Sequence, residues 1–287
     1  MKTMHMLSKG LFAALSVSFS FAAFAATIPG PGATWTIAAG DEQTITESDM
    51  ADYNQLAKVI VNGTLTFADV TTAPAVVLEG NGTCRKTGDK DWTLSTACAK
   101  YKGKWIFEGG TIDGTEATAF GYTSDANSDA DAVYICDGAT LRLSTAHASG
   151  YFFLYKWFHI VGTGKNGKGA IWVDVNDTKD GYIGRIALDG AATINVPSDK
   201  QVNFRHGEIR LNGQDLTFAG NGSTVYFADH EKIVGPGEVV MDENMKFHFI
   251  VKDAGFTECT PRTKITALGG NEIRFMQKSA TCCPWMP

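Results

Sequence analysis

Basic residues are in the minority throughout this chain, 25 Lys and Arg against 31 Asp and Glu, and no stretch gathers them. A nucleic-acid groove needs a basic patch and a membrane surface needs a polybasic run, so both kinds of partner are excluded. Long apolar runs are also missing. The longest, residues 11–24, falls short of the ~20 residues that cross a bilayer. YFFLYKWFHIV, residues 151–161, is broken by Lys156 and His159 and reads as a buried strand or strand pair. Neither C-x-x-C nor a His-rich cluster with zinc spacing occurs, and no cofactor motif is evident. Helical periodicity is scarce too, confined to residues 48–58, where Ser48 suits an N-cap and Met50, Tyr53, Leu56 and Ala57 recur at helical spacing.

The chain does contain an export leader. Lys2 and Lys9 precede the apolar run, and small residues at Ala23 and Ala25 mark a cleavage site, so residues 1–26 read as a signal peptide and the mature chain as secreted. Export permits disulfides. Cys84 and Cys98 flank a polar stretch, RKTGDKDWTLSTA, that a bridge would close, whereas Cys136 reads as a free thiol and Cys259, Cys282 and Cys283 have no assignable pairing.

From Thr27 onward, short β-branched or apolar runs alternate with Gly, Asn and Asp: KVIVNG, TLTF, KWIFEGG, AIWVDV, RIALDG, EIRLNG. Such runs are strands joined by tight turns, and the class is all-β. An apolar residue two places before a glycine recurs at Gly40, Gly63, Gly80, Gly114, Gly138, Gly162, Gly190, Gly213 and Gly235, about every 23 residues. The interval from Gly80 to Gly114 is the longest, and the Cys84 to Cys98 stretch reads as an insertion within it. A period of that length in β sequence predicts a parallel β-helix, whose strands pair about 4.8 Å apart along its axis. The expected layout is an N-terminal cap region at 27–58, β-helix repeats at 59–250, and a last coil with an irregular or truncated tail at 251–287. Unpaired coil edges at the ends invite edge-to-edge self-association.

KWIFEGGTIDGT resembles the glycine-rich coil turns of pectin-lyase-like right-handed β-helices. HIVGTGKNGKGAIWVDV, GRIALDGAATINV and GEIRLNGQDLTFAGNGSTVYF resemble the autotransporter-associated β-strand repeat of exported bacterial proteins, over roughly residues 138–240. The resemblance implies a right-handed parallel β-helix with passenger-like architecture and an adhesin-like role at the cell surface, in contact with extracellular glycan or protein.

Three motifs carry candidate chemistry. VGTGKNGKGA matches G-x-x-x-x-G-K through Gly162, Gly167 and Lys168, but Gly169 replaces the magnesium-binding hydroxyl and AIWVDV follows as a strand. A phosphate loop needs a helix there, so the stretch reads as a turn with Lys165 and Lys168 solvated, and no nucleotide is expected. Asp125, Asn127, Asp129 and Asp131 alternate as in a calcium loop, but Ala130 and Cys136 stand where its glycine and bidentate Glu belong, leaving an acidic loop as the plainer reading. Asp113 and Asp137 occupy the same position of the recurring unit, so stacking would bring them to about 5 Å, the spacing of retaining-glycosidase carboxylates. Turn chemistry explains Asp-Gly equally well. The expectation is therefore a non-enzymatic surface module, with a secreted polysaccharide lyase or glycoside hydrolase as its rival. A carboxylate cluster with neighbouring Lys or Arg on one face would favour the rival.

Overall fold

The computed structural model describes residues 27–122, 131–144, 156–175, 182–228, 232–251 and 263–277. Its strands pair only in parallel, each with a strand one coil away, and they build a β-solenoid with three faces. The second face has the longest ladder. Glu42–Ile45, Thr64–Phe67, Thr83–Lys86, Lys104–Phe107, Val133–Ile135 and Phe158–Gly162 stack in order, followed by residues 186–188, 208–210 and Lys232–Val234.

The third face stacks Trp92–Leu94, Gly110–Gly114, Ala139–Leu143, Ile171–Val173, residues 192–195, Leu216–Ala219, Gly237–Met241 and Thr263–Ala267. The first face begins with Thr34–Ile37, Lys58–Val61 and Val77–Glu79. It resumes with residues 182–183, 201–205, Thr224–Ala228, Lys246–Val251 and Glu272–Gln277.

Alternation within each strand decides which side chains enter the rod. KVIV, TLTF and KWIF each bury every second residue, the period of a half-buried strand. The registers then stack those residues into continuous inner columns. Leu65, Cys84, Trp105, Val133, Phe158, Ile186, Ile209 and Ile233 form one on the second face. Trp92, Ile112, Leu141, Ile171, Ile194, Phe218 and Met241 form another on the third. All of these side chains are buried in one cluster that runs from Trp35 to Phe249. On the first face Phe204, Phe227 and Phe249 lie ring over ring, with centroids 5.5 and 4.9 Å apart.

Coils approach closely at the corner before the second face. A Cβ on Gly82 would meet the carbonyl of Gly63 at 2.2 Å, and one on Gly103 would meet the carbonyl of Gly82 at 2.0 Å. Only glycine fits there, because the obstacle is backbone and has no rotamer to change.

Two expectations are corrected. The helical element is short, a 3-10 turn at Glu47–Asp49 and a helix at Met50–Tyr53. It does not precede the first coil, because Thr34–Ile37 and Glu42–Ile45 already pair as coil strands, so part of the expected cap region belongs to the solenoid. Tyr53 is buried edge-on between Trp35 and Phe67, so the element fills the third side of the first turn. The stretch between Cys84 and Cys98 is not an insertion either, for it contributes Thr83–Lys86 and Trp92–Leu94 to an ordinary coil. No described helix is long and apolar enough to cross a membrane.

The inner columns carry a direct consequence. Phe218→Ala is expected to cost about 3–5 kcal/mol, because the coils above and below hold the space open. Thr217→Ala on the outward side of the same strand is expected to stay within about 0.5 kcal/mol. Urea denaturation of the two variants checks both.

Candidate functional site

The outward side of the third face gathers charge. The registers set Asp113, Arg142 and Trp172 side by side on successive coils, and Ser144 and Asp174 follow the last two strands by a residue. Arg142 donates from Nε to Asp174 Oδ2 at 2.9 Å and from Nη2 to the same oxygen at 2.5 Å. Its Nη1 lies 3.6 Å from Asp113 Oδ2, which also accepts a hydrogen bond from Ser144 Oγ at 2.5 Å. One guanidinium thus bridges two carboxylates from coils on either side of it. Its Cζ lies 5.2 Å from the centroid of the Trp172 ring, and Lys168 Nζ stands 4.1 Å from the same centroid.

Asp113 differs from its partner. It is buried, and burial raises its pKa, although the Ser144 hydrogen bond and the Arg142 charge oppose the rise and Asp174 adds to it. Its Oδ1 is buried and has no hydrogen-bond partner among the described residues. A buried carboxyl that holds its proton more tightly than usual is a group that acid–base chemistry can use.

Asp137 is not part of this cluster, which corrects the expected Asp113–Asp137 pair. The register of Lys104–Phe107 with Val133–Ile135 sets Asp137 level with Glu108 and Gly109, in the turn between the second and third faces. There it packs against Gly162 of the next coil, whose missing side chain leaves room for Asp137 Oδ1. Matching TIDG to ICDG equated a strand with a turn. Arg142 and Asp174 went unnoticed in the sequence, although in TLRLS and WVDV each breaks an apolar run at an outward position.

The glycine-rich stretch after Phe158–Gly162 forms a 3-10 turn at Lys165–Gly167 and then the strand Ile171–Val173, with no helix to bind phosphate. Lys165 is not solvated as expected. Its Nζ reaches across several coils to Asp91 Oδ1 at 2.9 Å and to the carbonyl and carboxylate of Asp89 at 2.6 and 3.2 Å. The Asp91 bond is the main reason its pKa is raised. Lys168 is exposed, with its Nζ over the Trp172 ring.

Of the calcium candidates, Asp125, Asn127 and Asp129 lie outside the described residues. Asp131 is buried, and a cation is already beside it, Lys156 Nζ at 3.2 Å. Among the described residues no group of three or more His, Cys, Asp or Glu is placed to hold a metal ion.

Cys84 and Cys98 are both buried free thiols in this structure, so the expected bridge is not formed in it. Cys84 is an inner-column residue between Leu65 and Trp105, and burial pushes its pKa up to about 12. Cys98 Sγ accepts from the Leu78 N–H at 3.4 Å and faces the Thr96 carbonyl at 3.6 Å. No family model, curated protein or solved structure matches the chain.

Lys86 is a buried titratable group at the corner between the second and third faces. It points inward between Phe67 and Phe107, and its Nζ donates to the Gly88 and Gly109 carbonyls at 3.0 and 2.9 Å. Burial lowers its pKa from 10.5 to about 8. Between those two values the unfolded chain holds a proton that the folded chain has released, so this group adds stability as pH rises through that window. The stability difference between wild type and Lys86→Met is therefore expected to move about 3 kcal/mol in favour of wild type from pH 8 to pH 10.5. Denaturant titrations at the two pH values measure it, and a flat difference contradicts the assignment.

Proposed function

We propose that this chain is an exported, non-enzymatic β-solenoid that serves as a surface or adhesin-like contact module, with passenger-like architecture of the kind its autotransporter-type repeats suggest. The observation that carries this reading is where the outer charges go. Lys58 pairs with Glu79, Arg85 with Glu108 and Arg142 with Asp174, each across coils, and His159 hydrogen-bonds Asp189 in the same way. Outer faces whose charges are matched in this way leave strands and turns as the contact surface, for an extracellular glycan or protein.

Self-association is the second kind of contact the reading includes. In the last described coil Ile273 stacks on Phe247 and yet remains 42% exposed, and Leu268 nearby is 45% exposed. Exposed apolar side chains on an end coil are a solubility problem for any stacked-repeat protein.

The cluster of Asp113, Arg142 and Asp174 is the one observation that favours the rival reading, a secreted polysaccharide lyase or glycoside hydrolase. A single experiment separates the two. The mature chain is incubated with pectin, alginate and plant-glycan panels, alongside Asp113→Asn and Arg142→Lys. The surface-module reading expects no product from any of the three proteins, with retention on immobilised glycan or cell-surface protein. Product that disappears in both variants would establish the enzyme instead.

A further inference from the structure

The registers that align Trp105, Val133 and Phe158 set Gly103, Asp131 and Lys156 level with one another two residues earlier, on three successive coils. Lys156 is 1% exposed, and Asp131 is buried beside it. Lys156 Nζ lies 3.0 Å from the Gly103 carbonyl, 2.7 Å from the Asp131 carbonyl and 3.2 Å from Asp131 Oδ2. The Tyr101 ring closes one side, its centroid 5.9 Å from Nζ. The absence of a side chain on Gly103 belongs to the same crowded corner, where a Cβ would strike backbone and the Tyr101 ring.

An ammonium held this way is confined against one carboxylate by the stacking of the coils. The entropic cost of bringing nucleophile and carbonyl carbon together has been met by folding. Taking both charges out of water also penalises the ionised pair relative to its neutral form, amine and carboxylic acid. Burial accordingly lowers the pKa of Lys156, against the opposing charge and hydrogen bond of Asp131.

We propose that Lys156 and Asp131 join in an intramolecular isopeptide bond, with Lys156 Nζ bonded to Asp131 Cγ. One proton passes from the ammonium to the carboxylate, and the neutral Nζ then attacks Cγ. The tetrahedral intermediate breaks its bond to the hydroxyl oxygen, which leaves as water with a second Nζ proton. The third proton remains as the amide N–H. No oxidant, cofactor or energy source enters the balance. The bond welds neighbouring coils whose ends lie 25 residues apart in sequence, in a solenoid otherwise held by hydrogen bonds and packing. In an exported rod such a crosslink resists local unfolding of the segment between its ends.

Trypsin digestion of the denatured mature protein followed by mass spectrometry reads the bond directly. An amide-linked Lys156 is not cleaved, so peptide 105–142 is expected to be joined to peptide 143–165, lighter by one water than the two together. Asp131→Ala is expected to abolish that species and restore cleavage after Lys156. A folded wild type that yields only the separate peptides 105–142 and 143–156 would overturn the proposal. So would a crosslink at Lys156 that survives in Asp131→Ala.

Discussion

A single coil of this protein cannot bury its own apolar residues, and everything else in the structure follows from that. Each inward side chain is covered mainly by the residue one coil above and one coil below, so the stabilising unit is the column and not the coil. The column from Leu65 to Ile233 and the column from Trp92 to Met241 keep nearly every member out of water. At about 25 cal/mol per Å² of apolar surface, burial is the dominant favourable term. The parallel ladder satisfies the backbone at the same spacing. The stacked rings of Phe204, Phe227 and Phe249 are held at intervals close to the 4.7–4.9 Å between hydrogen-bonded strands.

The same geometry governs the charges. Residues some 20 to 30 positions apart become neighbours, which is why the ion pairs join successive coils and why Arg142 finds carboxylates both before and after it in the chain. The corners between faces are where backbone carbonyls point at one another, and there the solenoid accepts buried ammonium groups. Lys86 is held by the carbonyls of Gly88 and Gly109, and Lys156 by those of Gly103 and Asp131. A buried cation supplied with several acceptors costs far less than a bare one. The Lys165 turn adds a longer tie, reaching from the turn after Phe158–Gly162 down to Asp89 and Asp91.

The fold was legible because its signal is redundant: β-branched runs, glycine turns and a recurring interval all point to stacked parallel coils. Register was not legible, since a one-residue shift between a strand and a turn changes which side chains meet. That is how Asp113 was matched with Asp137 when the coil pairs it with Arg142. Polar composition hid the strands of TCRK and WTL, because the alternation in TCRK sends Cys84 and Lys86 inward and hydropathy alone does not expect a lysine in a core column. The candidate site was half visible: Asp113 stood out through its turn-like Asp-Gly pair, whereas Arg142 and Asp174 acquire meaning only once three coils are stacked.

The central claim, that the chain climbs by one strand spacing per coil, is tested most directly by distances between spin labels along one outward column. Thr44, Thr66, Arg85, Ile106, Tyr134, His159, Ala187 and Arg210 occupy successive strands of the second face. With one label at Thr44, the distance is expected to grow steadily through Tyr134 and His159 to Arg210, from about 19 to about 24 to about 34 Å at ~4.8 Å per strand. Distances that fail to increase in that order would contradict the solenoid and every contact inferred from its registers.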